Sequence, residues 1–214
     1  MDRREFSVGA ALTAAALSPA ALLAQVKQPE DGAEYLTLKP TVNVNVPPGK
    51  VEVIEFFWYS CPHCNAFEPR LEPWIKRLPS DVVMKRVPVA FNAGFVPQQR
   101  LFYTLETLGK LDELHGKVFH AIHVEHVPLN QDDSILDWVG KQGLDKAKFT
   151  EIYNSFDVVS KVRRAIQLQD AFKVQGVPSI GVQGRYYTDG TLAGSNERVL
   201  QVVDYLIGQS RKST

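Results

Sequence analysis

The stretch VEVIEFFWYSCPHC, residues 51–64, joins an apolar, β-prone run to two cysteines that stand three positions apart. The run predicts a strand that is buried on both faces, as in a sheet with helices packed on each side. Cys61 and Cys64 are the only cysteines among the 214 residues. Because a C-x-x-C pair at the junction of a strand and a helix is typical of dithiol redox sites, this stretch predicts both fold and chemistry.

Two other interpretations of the cysteine pair carry less weight. A structural disulfide would close a loop of only about four residues and stabilise the fold by about 2 kcal/mol through unfolded-state entropy. A chain of this length builds its own core without so short a link. A structural zinc ion needs four nitrogen or sulfur ligands, so two histidines would have to join the cysteines. Redox catalysis is therefore the favoured interpretation.

Four histidines, at positions 115, 120, 123 and 126, form a second possible metal site. His120 and His123 could share one face of a helix. No pattern of acidic partners supports a bound metal, and solvent-exposed helix positions explain the four histidines as well. The sequence therefore predicts no metal site.

The composition is that of an ordinary globular protein, with 44% hydrophobic and 22% charged residues. Lysine plus arginine and aspartate plus glutamate both number 24, so nothing favours nucleic acid as a partner. Once an N-terminal segment is removed, the length suits one domain, or one domain with a large insertion.

Residues 1–24 have the pattern of an export signal. Arg3 and Arg4 form a charged start, residues 8–23 form an apolar stretch rich in alanine and leucine, and Ala24 is a candidate for the last residue removed. The apolar stretch is short for a membrane span. Ordinary secretion and twin-arginine export are both compatible with the adjacent arginines. Either route delivers the mature protein to a compartment where disulfides persist, which we expect to be the periplasm.

Hydrophobic periodicity predicts the order β-α-β, then a helical block, then β-β-α. Strands are predicted at 51–58 and 82–89, and helical spacing of apolar residues extends over 96–174. A further strand is predicted at 177–182, and Ser195 or Asn196 can cap a last helix.

These motifs together resemble the DsbA family of exported thiol-disulfide oxidoreductases. The resemblance covers essentially the whole mature chain. It rests on Glu55-Phe56-Phe57, on CPHCNAFE at 61–68, on the helical block between strands, and on Gly176-Val177-Pro178-Ser179. The family implies an α/β, thioredoxin-like fold with an inserted helical domain. Its first part would cover 25–95, the insertion 96–174 and its second part 175–214.

The resemblance also implies an activity and partners. Such a protein donates its Cys61–Cys64 disulfide to unfolded, newly exported proteins, uses no other cofactor, and is re-oxidised by a quinone-linked membrane partner of the DsbB type. We expect a monomer. A reductase or isomerase of the same fold is the nearest alternative, although isomerases usually carry a dimerisation domain for which no segment is spare. A metal-binding or chaperone-like module is the alternative from a different class.

The residues between and around the cysteines have separate predicted roles. Pro62 suits the first turn of a helix, where its missing N–H costs nothing. Cys61 should then sit at the positive end of the helix dipole, where free N–H groups stabilise a thiolate. His63 can add a positive charge or a donor beside the Cys61 sulfur. Cys64, one turn further in, is expected to be the buried resolving thiol.

Glu55 lies six residues before Cys61 in an otherwise apolar strand. The resemblance implies a buried carboxyl group that relays protons for Cys64. Burial would raise the pKa of Glu55 and suit it to general acid–base work. Lys85 or Arg86 on the next strand could pair with Glu55, and the sequence leaves the register open.

Val177 and Pro178 open the predicted strand that follows the helical block. Thioredoxin-like folds place a cis proline opposite the C-x-x-C pair, and the neighbouring backbone pairs with substrate as an added strand. The resemblance therefore implies a cis Val177–Pro178 bond and a substrate-binding role for both residues.

Overall fold

A five-stranded mixed sheet organises the chain, in a computed structural model that describes residues 28–212. The predicted export signal at 1–24 lies outside the described residues. The strand order is β1-β5-β4-β2-β3. The strands are β1 (Leu36–Thr37), β2 (Val51–Phe57), β3 (Val82–Pro88), β4 (Ser179–Val182) and β5 (Tyr186–Asp189).

The central strand β2 is buried along its whole length, as the apolar run predicts. It runs parallel to β3, so that Glu55 lies opposite Arg86, and antiparallel to β4, so that Phe56 lies opposite Ser179. The antiparallel pairing brings the start of β4 to the end of β2. The residues before β4 therefore meet the cysteine pair that follows β2.

Helices cover both faces of the sheet, and five of them lie between β3 and β4, where the insertion is predicted. The α/β, thioredoxin-like fold with inserted helices is thus confirmed, while the predicted domain boundaries stay a prediction. Within residues 28–212, no helix has the length and apolar character needed to cross a bilayer. The helices are α1 (Pro62–Ile75), α2 (Val96–Thr107), α3 (Leu111–His123), α4 (Asp132–Lys141), α5 (Lys146–Tyr153), α6 (Phe156–Ala171), α7 (Gly190–Ala193) and α8 (Asn196–Lys212), with a 3₁₀ turn at Ala93–Phe95.

Two hydrophobic cores hold the layers together, one on each face of the sheet. Ile54 and Phe56 of β2 pack into the core shared with the inserted helices, whereas Val53 packs against α1 and α8. This division follows from the alternation of side chains along a strand. Glu55 interacts with carboxylates on α1, so the candidate acid lies on the α1 side of the sheet.

Helix α1 begins where the sequence predicts. Cys61 is its N-cap residue with an extended backbone, and Pro62 occupies the first helical position. The N–H of Asn65 donates to the carbonyl oxygen of Cys61 at 3.1 Å, which closes the first turn. The strand-to-helix junction thereby places the Cys61 sulfur at the N-terminal end of α1.

Candidate active site

The two thiols lie in different surroundings although only two residues separate them. Cys61 is 7% exposed at the start of α1, and Cys64 is fully buried one turn further in. Both are free thiols in this structure. The Cys61 sulfur also lies 3.4 Å from the carbonyl oxygen of Val177. Cys61 is therefore the sulfur that faces the surface.

The start of α1 stabilises the thiolate of Cys61 and lowers its pKa to about 6. The largest cause is a hydrogen bond from the Cys64 thiol. The backbone N–H groups of Cys64 and His63 and the positive charge of His63 add to it, against the opposing effect of burial. Cys61 is therefore largely ionised near neutral pH, as the helix N-terminus predicts.

Cys64 has the opposite tendency, because burial raises its pKa far above the ordinary value for a cysteine. The hydrogen bond to Cys61 and the negative charges of Cys61 and Glu55 act in the same direction. Cys64 is therefore a poor thiolate. When it leaves a disulfide, it must collect a proton quickly.

His63 and Pro62 are both exposed at the start of α1. The backbone N–H of His63 lowers the pKa of Cys61 more than its side-chain charge does. Pro62 contributes through its position, since it fixes the first helical turn without needing a hydrogen-bond partner. Both residues lie at the start of α1 next to Cys61, and their roles in the site stay predictions.

Glu55 is fully buried, and its partner is Arg86. The Nε group of Arg86 donates to Oε2 of Glu55 at 3.0 Å. Burial, followed by the charge of Glu68, raises the pKa of Glu55 despite the opposing effect of Arg86. Lys85 instead pairs with Glu52, which resolves the choice that the sequence leaves open, because adjacent residues of a strand point to opposite faces.

Arg86 forms ion pairs with three carboxylates at once. Besides Glu55, the Nη2 atom of Arg86 lies 3.3 Å from Oε2 of Glu68 and 2.5 Å from Oε1 of Glu72. Both of these residues belong to α1. The guanidinium group therefore joins β2, β3 and α1 directly beneath the cysteine pair.

His115 and Tyr59 extend this network into the inserted helices, and sequence reasoning missed both. The Tyr59 hydroxyl lies 2.9 Å from Nδ1 of His115, and Nε2 of His115 lies 3.4 Å from Oε1 of Glu68. His115 is 4% exposed, so a solvent-exposed helix position is the wrong interpretation for it. The sequence does contain a signal for this burial. His115 precedes the apolar residues Val118 and Phe119 by three and four positions, a spacing that places all three on one face of a helix.

Val177 and Pro178 lie opposite the cysteine pair, and the bond between them is cis, which confirms that part of the prediction. With His63 and Asp189 they line a cavity of about 390 Å³. An approaching peptide would thus meet the carbonyl oxygen of Val177 close to the Cys61 sulfur. Among residues 28–212, no group of three or more histidine, cysteine, aspartate or glutamate side chains gathers to hold a metal ion.

Comparisons with known proteins agree with this geometry. The profile of the DSBA-like thioredoxin domain matches residues 82–206. The thiol:disulfide interchange protein DsbA of Bordetella parapertussis is 47% identical over 202 residues, which cover 94% of this chain and 96% of that protein. The chain belongs to the DsbA family. It is a thiol:disulfide oxidoreductase, which the paired cysteines already indicate.

Other members of the DsbA family agree in sequence and in fold. The DsbA of Pseudomonas aeruginosa is 41% identical over 200 residues, covering 92% of this chain and 94% of that one. A crystal structure of the P. aeruginosa protein superposes with a TM-score of 0.81 at 42% identity, over 85% of this chain and 94% of that chain. The DsbA of Xylella fastidiosa reaches a TM-score of 0.81 at 28% identity, over 87% of this chain and 100% of that chain.

Proposed function

We propose that this protein is an exported dithiol oxidase that donates the Cys61–Cys64 disulfide to newly translocated proteins. The observation that carries the proposal is the unequal stability of the two thiolates. A low pKa at Cys61 stabilises the reduced enzyme, because one of its two sulfurs is then held as a favourable anion. A stable reduced form makes the oxidised form a ready donor of its disulfide.

The exchange proceeds in two balanced steps. A substrate thiolate attacks the Cys61 sulfur, a new substrate–Cys61 disulfide forms, and Cys64 leaves as a thiolate. Glu55 gives its proton to Cys64, which becomes a neutral thiol. A second substrate thiolate then attacks the substrate sulfur of the mixed disulfide and releases Cys61 as a thiolate. The substrate loses two electrons and gains a disulfide, and the enzyme disulfide is reduced to the Cys61 thiolate and the Cys64 thiol. Glu55 is left as a carboxylate and regains its proton from solvent.

Each predicted site residue has a role in this scheme. Cys61 is the attacked sulfur and Cys64 the leaving one. His63 and Pro62 stabilise and position the Cys61 thiolate at the start of α1. The surface formed by Val177 and Pro178 binds the substrate backbone, with the carbonyl oxygen of Val177 as the acceptor nearest the reacting sulfur.

The place of action and the partners complete the proposal. Residues 1–24 direct export to the periplasm, where unfolded exported proteins are the substrates. A quinone-linked membrane protein of the DsbB type then re-oxidises Cys61 and Cys64, and the enzyme works as a monomer with no cofactor beyond its own disulfide. The low pKa of Cys61 supports a disulfide donor rather than a reductase.

Equilibration with glutathione tests the proposal. The purified protein is incubated in buffers of known glutathione ratio, and the fraction of the Cys61–Cys64 disulfide is measured by thiol labelling. We expect a potential far more oxidising than the value of about −270 mV that suits a reductase such as thioredoxin. A potential near that value would overturn the oxidase assignment. Stoichiometric zinc in the purified protein would instead favour the metal-binding alternative.

A further inference from the structure

Three carboxylates and one guanidinium form an unbalanced cluster beneath the cysteine pair. Glu55, Glu68 and Glu72 all contact Arg86, and their side chains are 0%, 12% and 42% exposed, respectively. One positive charge therefore faces three carboxylates. Burial, followed by the charge of Glu68, raises the pKa of Glu55, so the cluster favours a proton on Glu55.

His115 contacts Glu68, the carboxylate whose charge raises the pKa of Glu55. The imidazole lies among the rings of Phe57, Phe102 and Phe119, with centroid distances of 5.3, 6.2 and 5.3 Å. Burial in this aromatic setting is the main reason that the pKa of His115 is lowered. The ring is therefore neutral near pH 7, with one donor nitrogen and one acceptor nitrogen.

The two partners of His115 fix which nitrogen carries the hydrogen. Burial raises the pKa of Tyr59, so its hydroxyl keeps its proton and can donate to Nδ1. The Nε2–H group then donates to Oε1 of Glu68. In the opposite arrangement, the lone pair of Nε2 would face the lone pairs of an ionised carboxylate, which is unfavourable. Donation from Tyr59 through His115 to Glu68 satisfies all three groups.

We propose that His115 is a positioning residue that holds the Glu68 carboxylate within the cluster and thereby keeps a proton on Glu55, where Cys64 needs it. The inference deepens the proposed function and rests on the proposed role of Glu55 in it. The hydrogen bond from His115 holds the carboxylate of Glu68 beside Arg86. The charge of Glu68 in turn makes a charge on Glu55 less favourable.

A proton held on Glu55 can be used when Cys64 leaves the disulfide as a thiolate. Glu55 is one of the groups whose charge acts on Cys64, so a proton on Glu55 is available to the leaving thiolate. The titratable and charged groups facing this network are Glu55 from β2, Tyr59 from the turn after it, Cys64, Glu68 and Glu72 from α1, and Arg86 from β3.

The test follows the carboxyl groups directly by NMR titration of isotopically labelled glutamate in the reduced protein, with signals assigned through Glu55→Gln and Glu68→Gln. The double variant Tyr59→Phe/His115→Phe removes the donor to Glu68 and leaves no buried hydroxyl without a partner. We expect the titration midpoint of Glu55 to fall by about one pKa unit, a tenfold change in protonation ratio, because Glu68 is no longer held beside it.

Two further variants distinguish a positioning role of His115, through its hydrogen bond to Glu68, from a role in packing alone. Tyr59→Phe alone keeps the Nε2–H donor, so the midpoint of Glu55 should stay near that of the wild type. His115→Gln places an amide N–H close to the Nε2 position and should restore most of the wild-type midpoint of Glu55. An unchanged midpoint of Glu55 in the double variant would overturn the proposal. The titration uses no substrate and no redox partner, so its failure is distinct from failure of the glutathione experiment.

Discussion

The sulfur of Cys61 lies 3.4 Å from the carbonyl oxygen of Val177, a residue 116 positions away in the chain. The antiparallel pairing of β2 with β4 produces this proximity, because the end of one strand lies beside the start of the other. A peptide bonded to Cys61 would therefore lie beside a backbone acceptor. Recognition through backbone groups depends little on the sequence of the peptide.

N-methylation of a substrate peptide tests the backbone contact with Val177. A methyl group on the amide next to the reacting cysteine removes the donor to the carbonyl oxygen of Val177. One hydrogen bond contributes about 0.5–1.5 kcal/mol, so we expect the rate of mixed-disulfide formation to fall from a few-fold to about tenfold. A peptide methylated several residues away is the control, and equal rates for the two peptides would contradict the backbone role.

Substitution of each cysteine should give a different product. Cys61→Ala removes the attacked sulfur and should abolish oxidation of a reduced peptide. Cys64→Ala keeps the sulfur of Cys61 but removes the resolving thiol, so mixed disulfides through Cys61 should accumulate. Mass spectrometry of the trapped complexes identifies the linked residue. Full activity of Cys61→Ala would show that the assignment of the two sulfurs is wrong.

His63→Ser should raise the pKa of Cys61, but only part of the way to the ordinary value for a cysteine. The hydrogen bond from Cys64 and the backbone N–H groups remain, so the thiolate titration should shift upward from about 6 and stay below the ordinary cysteine value of about 8.5. Ultraviolet absorbance of the thiolate follows the titration. His120→Ser, at an exposed position on α3, is the matched control and should leave the curve unchanged. An identical curve for His63→Ser would remove His63 from the set of tuning groups.

The stability of the reduced protein should depend on pH through Cys61. Because the pKa of Cys61 is lower in the folded protein than in the unfolded chain, its stabilising effect is fully present near pH 8.5 and is lost as pH falls through about 6. The disulfide form has no such group. The difference in free energy of unfolding, reduced minus oxidised, should therefore rise across this interval in denaturant titrations. A flat difference would contradict the low pKa.

Glu55→Gln should slow the step in which Cys64 takes up a proton. The amide cannot deliver a proton, so stopped-flow measurements should show a slower release of Cys64 that no longer changes with pH over the titration range of Glu55. Glu52→Gln is a matched control, since Glu52 is also buried on β2 but pairs with Lys85. An unaltered pH–rate profile in Glu55→Gln would exclude the relay.

The sequence predicts the fold well because its local signals agree. The apolar run ending at Phe57, the C-x-x-C pair and Pro62 all require a strand followed directly by a helix. The choice between Lys85 and Arg86 could not be made, because it depends on which face of β3 meets α1. His115 was missed because its partners Tyr59 and Glu68 belong to other elements, and contacts between distant segments leave little trace in one sequence.

Helix α3 holds Tyr59 at two points, since His115 contacts its hydroxyl and Nε2 of His123 lies 2.8 Å from its carbonyl oxygen. Tyr59 stands two residues before Cys61, so the inserted helices anchor the turn that presents the reactive sulfur. The properties of the active site therefore do not reside in the tetrapeptide CPHC alone. Grafted onto a thioredoxin scaffold without α3, it would keep the helix N-terminus but lose the anchor, and its oxidising character would transfer only in part.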